Sequence, residues 1–335
     1  MTPSTKKSLK TTAFILLGIA LLWLALRGQD TEKLWATITG ADYKWVVAAM
    51  SIGLLSHILR ALRWNQLLAT TGKAPSTVNT FCAVMVGYLV NYAIPRAGEV
   101  SRCAMLKKSD GIDLEKSVGS VVAERVFDVL VMLLLLGLAF VFQYELINKL
   151  YHDLKKQTEG TSGGSLLMPI LLGCMASFVV VVFLLRKRIV QMALYHKVKN
   201  LFLGFWQGLK SITVVKNKFL FLLYTAAIWF CYLMMMYTAF KSLPATHDLS
   251  FSNAITVLVA GSLAMIVPTP GGVGAFQLIS AYTLLLFGVP HADGEAWANI
   301  VFFAQLIMFV IVGSISYFWL IFKSKNLESQ IASAA

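Results

Sequence analysis

Of the 335 residues, 58% are hydrophobic and only 13% are charged, and the formal net charge is +13. Soluble proteins usually carry about 25% charged residues, so this composition excludes an ordinary globular domain, and continuous apolar runs exclude a barrel of alternating strands. The basic surplus does not indicate nucleic acid, because Lys and Arg concentrate in the cytoplasmic loops of membrane proteins. The composition therefore predicts an all-α, polytopic helical membrane protein.

Nine apolar segments predict helices, since a helix crosses the roughly 30 Å of hydrocarbon in roughly 20 residues. The first follows Lys6, Lys7 and Lys10, and no small-residue cleavage site comes after it, so an uncleaved helix is expected rather than a signal peptide. The nine segments lie near 11–27, 44–68, 77–94, 115–142, 166–185, 219–242, 252–267, 271–287 and 297–322.

Two polar stretches separate some of these helices. Between 143 and 165 the composition turns polar and includes a Gly-Gly pair, which predicts a loop. The stretch 186–218 is basic, and its apolar residues recur at helical spacing, which predicts an amphipathic helix on the cytoplasmic surface. An ordinary solvated connector is the alternative for that stretch.

The distribution of Lys and Arg predicts which side each loop faces, because cytoplasmic loops are enriched in both. Both termini, the stretch 186–218, and Arg60 and Arg63 at the end of the second helix should then be cytoplasmic. Strict alternation of spans contradicts this arrangement. The conflict disappears if 77–108 enters and returns on the cytoplasmic side and 252–287 enters and returns on the outside.

The two returning segments give the halves of the chain the same plan in opposite orientation. Each half has a spanning helix, a hairpin broken at Pro or Gly, and a second spanning helix. Inverted repeats with discontinuous helices are typical of alternating-access transporters, whose site lies where the halves meet. Helices merely kinked by proline are the alternative. We predict one integral membrane domain over 1–335, with repeat one at about 44–142, the connector at about 186–218 and repeat two at about 219–322.

The first hairpin carries charged residues next to its break. Arg96, Glu99 and Arg102 are three apart, so on a helix they share one face. Arginine suits a phosphate, because its planar guanidinium donates two parallel hydrogen bonds and stays charged. These three residues are candidates for a substrate-binding site.

The next spanning helix carries Glu124, Arg125 and Asp128 well before its apolar run ends. Glu124 and Asp128 are four apart and align, and Arg125 neighbours Asp128. A charge near the bilayer centre costs about 2.5–3.5 kcal/mol, so such residues pair with one another or line a polar cavity. The three residues are candidates for the same substrate site, and a purely structural ion-pair network is the alternative.

A glycine-rich turn stands at the break of the second hairpin. It contains Pro270, Gly271, Gly272 and Gly274, where the chain must stop one helix and start another. Glycine lets the backbone approach a ligand closely, and the N–H groups at a helix start bind anions. We therefore include these four residues in the candidate substrate site.

The second spanning helix ends with Arg60, Arg63 and Trp64. Long basic side chains extend to the membrane interface, and tryptophan is enriched there. Interfacial anchoring is therefore the favoured role of the three residues, and direct contact with a lipid headgroup is the alternative.

The sequence lacks the constellations that carry catalysis. The four cysteines and five histidines are scattered, without the spacing of a disulfide framework or a metal site. The chain also contains no nucleotide-binding loop and no dinucleotide fingerprint. We expect no metal, no cofactor, no bound nucleic acid and no enzymatic activity.

Four short motifs carry many of these polar residues: LRALRW at 59–64, IPRAGEVSR at 94–102, VVAERVFDVL at 121–130 and PTPGGVGAFQ at 268–277. In this order they resemble the lysylphosphatidylglycerol synthase transmembrane region, or flippase-like domain, family. The resemblance implies a polytopic domain that handles anionic or lipid-linked amphiphiles. It does not include a soluble aminoacyltransferase domain, so lysyl transfer is not expected. Members of the family often carry a glutamate after the glycine turn, where this chain has Gln277.

Together these features predict a flippase or scramblase-type transporter that moves an anionic phospholipid or a polyprenyl-phosphate-linked lipid across the cytoplasmic membrane. Arg96, Arg102 and Arg125 would bind the phosphate, and the glycine turn would present backbone donors. The alternatives are an integral-membrane lipid or glycosyl transferase and a non-transporting assembly partner of a lipid-pathway enzyme. Membrane lipids are the expected partners, alongside a second copy of the chain or a lipid-pathway enzyme.

Overall fold

The computed structural model describes residues 31–145, except 71 and 73, together with residue 148 and residues 215–334. Every regular element in these ranges is helical, which confirms the all-α prediction. The predicted helices at 11–27 and 166–185 lie outside the described residues, as do nearly all of the loop at 143–165 and of the amphipathic helix at 186–218. The α-helices are α1 (Thr31–Thr39), α2 (Tyr43–Ala69), α3 (Thr77–Ala93), α4 (Gly98–Asp110), α5 (Leu114–Phe142), α6 (Lys218–Phe240), α7 (Phe251–Ala264), α8 (Ala275–Leu285) and α9 (His291–Ala334).

Four of these helices are long and apolar enough to cross a membrane, namely α2, α5, α6 and the part of α9 from His291 to Ser324. The chain is therefore a multi-pass membrane protein. Helix α9 begins at His291 rather than near 297, because its first residues, HADGEA, are small or polar and give no apolar signal. Helix α1 escapes the prediction for a similar reason, since its nine residues of mixed polarity are too few for a span.

Polar side chains fix where most of these helices begin. A helix leaves its first N–H groups without intrahelical partners, and a side-chain oxygen just before the helix can accept from one of them. Each of five described helices starts with such a cap. The capping residues are Asp42 for α2, Ser76 for α3, Asp113 for α5, Asn217 for α6 and Ser250 for α7.

Helices α3 and α4 form an antiparallel hairpin that breaks at 94–97. Near the break the backbones approach so closely that a Cβ on Gly98 would overlap the carbonyl of Gly87. At the other end, the amide of Asn79 donates to both carboxylate oxygens of Asp110 at 2.9 and 2.8 Å. With 17 and 13 residues, the helices extend over only about 26 and 20 Å, which is too short to cross the hydrocarbon.

Helices α7 and α8 form the second hairpin, which breaks at 265–274. Gly261 of α7 packs against Phe276 and Ser280 of α8, so the two helices contact each other beside the break. With 14 and 11 residues, they extend over about 21 and 17 Å. The structure thus has a broken hairpin in each half, as the sequence predicts, and the inverted relation of the two halves stays a prediction.

The tips of the two hairpins touch. The ring of Tyr92, close to the end of α3, fills the space where Gly271 would carry a Cβ. Beside it, Nη2 of Arg96 donates to the carbonyl of Ile266 at 2.9 Å. The fold therefore brings together the two places where the membrane helices are interrupted.

Candidate functional site

Five charged side chains lie buried between α2, α4 and α5, and we call them the ionic cluster. Arg60 and Arg63 come from α2, Arg102 from α4, and Glu124 and Asp128 from α5. Each is at most 7% exposed, and Arg63 and Glu124 are fully buried. Residues three or four apart share a helix face, so α2 presents both of its arginines to both carboxylates of α5.

Glu124 is the centre of the ionic cluster. Its Oε1 accepts from Nη1 of Arg60 at 2.5 Å and from Nη2 of Arg63 at 3.2 Å, and its Oε2 accepts from Nη2 of Arg102 at 2.9 Å. Asp128 accepts from the same two arginines of α2, at 3.2 Å from Arg60 and 2.8 Å from Arg63. The shared carboxylates hold three helices together, and the loss of either one would leave buried cations uncompensated.

Neutral groups also contact the buried arginines, through hydrogen bonds and one aromatic ring. Nη2 of Arg60 donates to the hydroxyl of Tyr232 at 3.0 Å, and Nη1 of Arg63 donates to the hydroxyl of Thr225 at 3.2 Å. Both hydroxyls come from α6. The guanidinium of Arg102 lies 4.2 Å from the ring centre of Trp64, where the face of an indole attracts a cation. The ionic cluster is therefore connected to both halves of the described chain.

The ionic cluster reaches the protein surface through a second, more open pair. Nε of Arg125 lies 2.6 Å from Oε1 of Glu99, and the two side chains are 43% and 45% exposed. Nη1 of Arg125 also reaches Asp128, at 3.4 Å. Because the two side chains are only half buried, Arg125 can exchange Glu99 for another partner more easily than the buried arginines can exchange theirs.

A small cleft separates this open pair from the buried arginines. Its volume is about 20 Å³, which is room for about one water molecule. The conformation described here is therefore closed to a group as large as a phosphate. The cleft is lined by Arg60, Val84, Gly87, Tyr88, Asn91, Gly98, Glu99, Arg102 and Arg125.

The charges around the cleft do not cancel. Three buried arginines face two buried carboxylates, and the pair of Arg125 with Glu99 adds one charge of each sign. Counted over the residues that the structure describes, the site carries a surplus of one positive charge. Since an uncompensated charge in a protein interior is unfavourable, this arrangement favours the binding of an anion.

The predicted interfacial role of Arg60, Arg63 and Trp64 is wrong. The three side chains are 3%, 0% and 0% exposed, so they point into the protein rather than toward the headgroup layer. The indole N–H of Trp64 donates to the hydroxyl of Ser120 at 2.8 Å. The arginines are buried because α5 supplies two carboxylates at the same depth, and a sequence pattern in α2 alone does not reveal that.

The prediction that Arg96 shares a helical face with Glu99 and Arg102 is also wrong. Helix α4 begins at Gly98, and Arg96 precedes it with a φ of 64°, a conformation that side chains other than glycine rarely adopt. Arg96 is exposed, contacts the tip of the other hairpin and does not line the cleft. Glu99 and Arg102 do line the cleft together.

The glycine turn interrupts the helices where the sequence predicts, but three of its N–H groups do not point to a ligand. Gly271, Gly272 and Gly274 all have positive φ, at 59°, 80° and 78°. The N–H groups of Gly272 and Val273 donate to carbonyls within the turn, and that of Gly274 donates to Oε1 of the fully buried Gln277 at 2.9 Å. These three donors are satisfied by the turn itself, and helix α8 starts only at Ala275.

The sequence analysis misses several neutral members of the site. Tyr88 and Asn91 line the cleft, and Oδ1 of Asn91 accepts from the N–H of Gly98 at 2.8 Å. His57 packs against the Tyr88 ring at a centroid distance of 4.6 Å. The available signal is that Tyr88 and Asn91 are polar residues three apart, so they share one face of α3. Thr225 and Tyr232 lie in a longer apolar helix and give no comparable signal.

The four candidate spans, the broken hairpins and the buried ionic cluster define a multi-pass helical membrane protein. Residues 12–313 match the model of the family described as lysylphosphatidylglycerol synthase TM region, and the chain belongs to this family. The match confirms the resemblance that the four motifs suggest.

Three curated relatives extend the comparison. UPF0104 membrane protein PH1989 of Pyrococcus horikoshii is 23% identical over 85% of this chain and 89% of its own length. UPF0104 membrane protein MJ1078 of Methanocaldococcus jannaschii is 27% identical over 68% of this chain and 93% of its own length. Glycosyltransferase AglD of Haloferax volcanii is 27% identical over 42% of this chain but only 22% of its own length. No solved structure matches the chain.

Proposed function

We propose that the protein is a flippase or scramblase-type transporter that moves an anionic phospholipid or a polyprenyl-phosphate-linked lipid across the cytoplasmic membrane. The observation that carries the proposal is the surplus positive charge of the ionic cluster, held by arginines inside a multi-pass membrane protein. A lipid phosphate is the anion that such a protein meets most often. The family, which is named after a synthase of a phospholipid, supports the same class of substrate.

The phosphate would enter through the exposed pair of Arg125 and Glu99. Arg125 would exchange the carboxylate of Glu99 for a phosphate oxygen, and Arg102 would lie across the cleft from it. A guanidinium can bind two phosphate oxygens at once, which an ammonium group cannot do in the same geometry. Since the cleft has room for only about one water molecule, binding requires that the first hairpin moves away from α5.

The second hairpin would supply the other half of the transport path. Its tip touches that of the first hairpin through Tyr92, Gly271 and the bond from Arg96 to Ile266. In inverted-repeat transporters, rocking of one repeat against the other exposes the site to alternate sides. We place both termini in the cytoplasm, as the distribution of Lys and Arg predicts.

Purified protein in proteoliposomes with a fluorescent phospholipid tests the proposal. An impermeant quencher added outside should extinguish nearly all of the fluorescence in protein-containing vesicles but only about half in protein-free vesicles, because lipid without a transporter stays in its leaflet. Vesicles that behave alike with and without the protein, for anionic phospholipids and polyprenyl phosphates, would rule out lipid transport.

Arg125→Lys tests the role of the cleft in the same assay. Lysine keeps the charge but cannot donate two parallel hydrogen bonds as the planar guanidinium does. Loss of one charged hydrogen bond costs about 1.5 kcal/mol, so we expect transport to slow by about tenfold. The melting temperature should change little, because Arg125 is half exposed. Lys107→Gln, on the exposed side of α4, removes a positive charge outside the cleft and serves as the control. Equal transport by the wild type and Arg125→Lys would remove Arg125 from the phosphate site.

An integral-membrane glycosyl transferase is the second candidate function. It is favoured by the partial match to the protein named glycosyltransferase AglD. Incubation of the protein with a lipid-linked sugar donor and a lipid acceptor distinguishes the two functions, because only a transferase changes the covalent structure of its substrate. Mass spectrometry of the recovered lipids would show the product.

A further inference from the structure

A second buried carboxyl group lies away from the ionic cluster, on Glu295 in the second turn of α9. Its side chain is 0% exposed. Neither Oε1 nor Oε2 has a hydrogen-bond partner in the described part of the chain, whereas Glu124 accepts from three arginines. Its one ion-pair contact within the same residues is long, with Nδ1 of His291 at 4.0 Å from Oε1.

The chain on either side of Glu295 is tightly packed, and the residues that follow it are apolar. The adjoining Gly294 lies against Ala281 and Leu284 of α8, and Ala296 and Trp297 are fully buried. An ionised carboxylate with no partner in such a place is so unfavourable that the group takes up a proton instead. The start of a helix favours a negative charge, but this effect is much smaller than the cost of burying an unpaired ion.

Few other ionisable groups can compensate a charge on Glu295. Helices α3 and α4 contact α9 further along, near Gly313 and Lys323. None of the groups on the nearer elements, except His291, lies within ion-pair or hydrogen-bond distance of Glu295 in the described residues. These groups are His291 and Asp293 on α9, Tyr282 on α8, Tyr43 and Lys44 on α2, Glu32 on α1, and Lys241 directly after α6.

We infer that Glu295 is a proton-binding site: it carries a proton in this conformation and releases it when α9 separates from α8, so that protons gate or drive lipid movement. The coupling to lipid rests on the function proposed above. The ionisable side chain nearest to the carboxyl group is that of His291, which lies one turn away at the start of α9 and is 24% exposed.

The proton transfer needs no further reactant. When the helices separate, the O–H bond of Glu295 breaks and its proton passes to the lone pair of a His291 ring nitrogen or to an entering water molecule. The imidazolium or the entering water then stabilises the carboxylate. In the closed conformation, the packing of α9 on α8 excludes this water. The return of α9 to α8 makes the carboxylate unfavourable again and takes one proton up from the solution.

Infrared spectroscopy of the full chain in a detergent that contains no ester groups tests the proton on Glu295 without any transport assay. We expect the C=O stretching band of a protonated carboxylic acid at pH 7, and its loss in Glu295→Gln, which is nearly isosteric with the neutral acid and should fold. Asp293→Asn, two residues away and partly exposed, is the matched control and should keep the band. Absence of the band in the wild type, or its persistence in Glu295→Gln, would overturn the inference.

The proteoliposome assay tests the coupling. Wild-type transport should change at least fivefold between pH 6 and pH 8, and Glu295→Gln should transport at a rate that does not depend on pH in this range. The same pH dependence in both proteins would overturn the coupling. No lipid movement by the wild type at any pH would instead remove the proposed function, and the infrared result would stand independently of it.

Discussion

The two broken hairpins have a similar shape but are held together by different interactions. Segment 251–290 contains no charged residue, and its tip is a glycine turn whose N–H groups bond within the turn. The tip of the first hairpin instead continues into the ionic cluster through α4. The charged residues of segment 77–110 are Arg96, Glu99, Arg102, Lys107, Lys108 and Asp110.

This difference shows two ways to stabilise irregular backbone at membrane depth. Backbone polar groups there must be satisfied inside the protein, and an interrupted helix leaves several of them exposed at its ends. The first hairpin places ion pairs and the Asn91 amide around its break, whereas the second relies on glycine conformations and on Gln277. Substitutions in the first should therefore act through charge, and those in the second through shape.

The largest effect is expected for Glu124→Gln. The change leaves three buried arginines facing one carboxylate, and breaking a buried ion pair costs about 3–5 kcal/mol. We expect a large fall in the melting temperature in detergent. Glu115→Gln, at an exposed position of the same helix, should stay within about 0.5 kcal/mol of the wild type. Similar melting of both variants would show that the ionic cluster does not hold the first hairpin in place.

A smaller effect is expected for Gly272→Val in the second hairpin. Gly272 has a φ of 80°, and a Cβ there would overlap the sulfur of Met265. The Met265 side chain is flexible, so backbone strain of about 1–3 kcal/mol should dominate, and transport should be lost because the tip cannot close.

Gly137→Ala is the matched glycine control for that substitution. Gly137 lies within α5, and a Cβ there would meet no atom within 4 Å. Alanine is also the better helix former, so we expect unchanged or slightly higher stability. If Gly272→Val and Gly137→Ala were equally mild in melting and transport, the glycine turn would be a packing feature and not part of a site.

The smallest effect is expected for Arg96→Gln at the contact between the hairpins. The substitution removes one exposed hydrogen bond to Ile266, so about 1 kcal/mol of stability should be lost. Arg96→Gly removes the same bond but suits the positive φ, so it should melt above Arg96→Gln. Melting curves of the two variants decide this order, and a loss of several kcal/mol in both would mean that the tip contact holds the halves together.

The spans and the breaks could be predicted from sequence because their signals are local. Hydropathy gives α2, α5 and α6 to within one or two residues, and Pro95 and Pro268 mark the interruptions. The start of α9 at His291 could not be found in this way, since its first turns are polar yet buried by α8.

The membership of the ionic cluster could be predicted only in part. Spacing on one helix correctly places Glu124 and Asp128 on the same face, where both accept from the arginines of α2. It also correctly predicts the contact between Arg125 and Asp128. The partners of Arg60 and Arg63 are more than 60 residues away in sequence, and an arginine near a helix end is equally consistent with an interface. Only the packing of α2 on α5 decides between these positions, and no local pattern encodes it.

The ionic cluster also has a consequence for the order in which the protein is made. All five of its charged members lie between residues 60 and 128, so they leave the ribosome before any residue of α6. Arg60 and Arg63 come first, and each is unfavourable in lipid until α5 arrives with its carboxylates. We therefore expect α2 to α5 to assemble as one unit during synthesis. Helix α6 later adds the hydroxyl groups of Thr225 and Tyr232 to a cluster whose ion pairs have already formed.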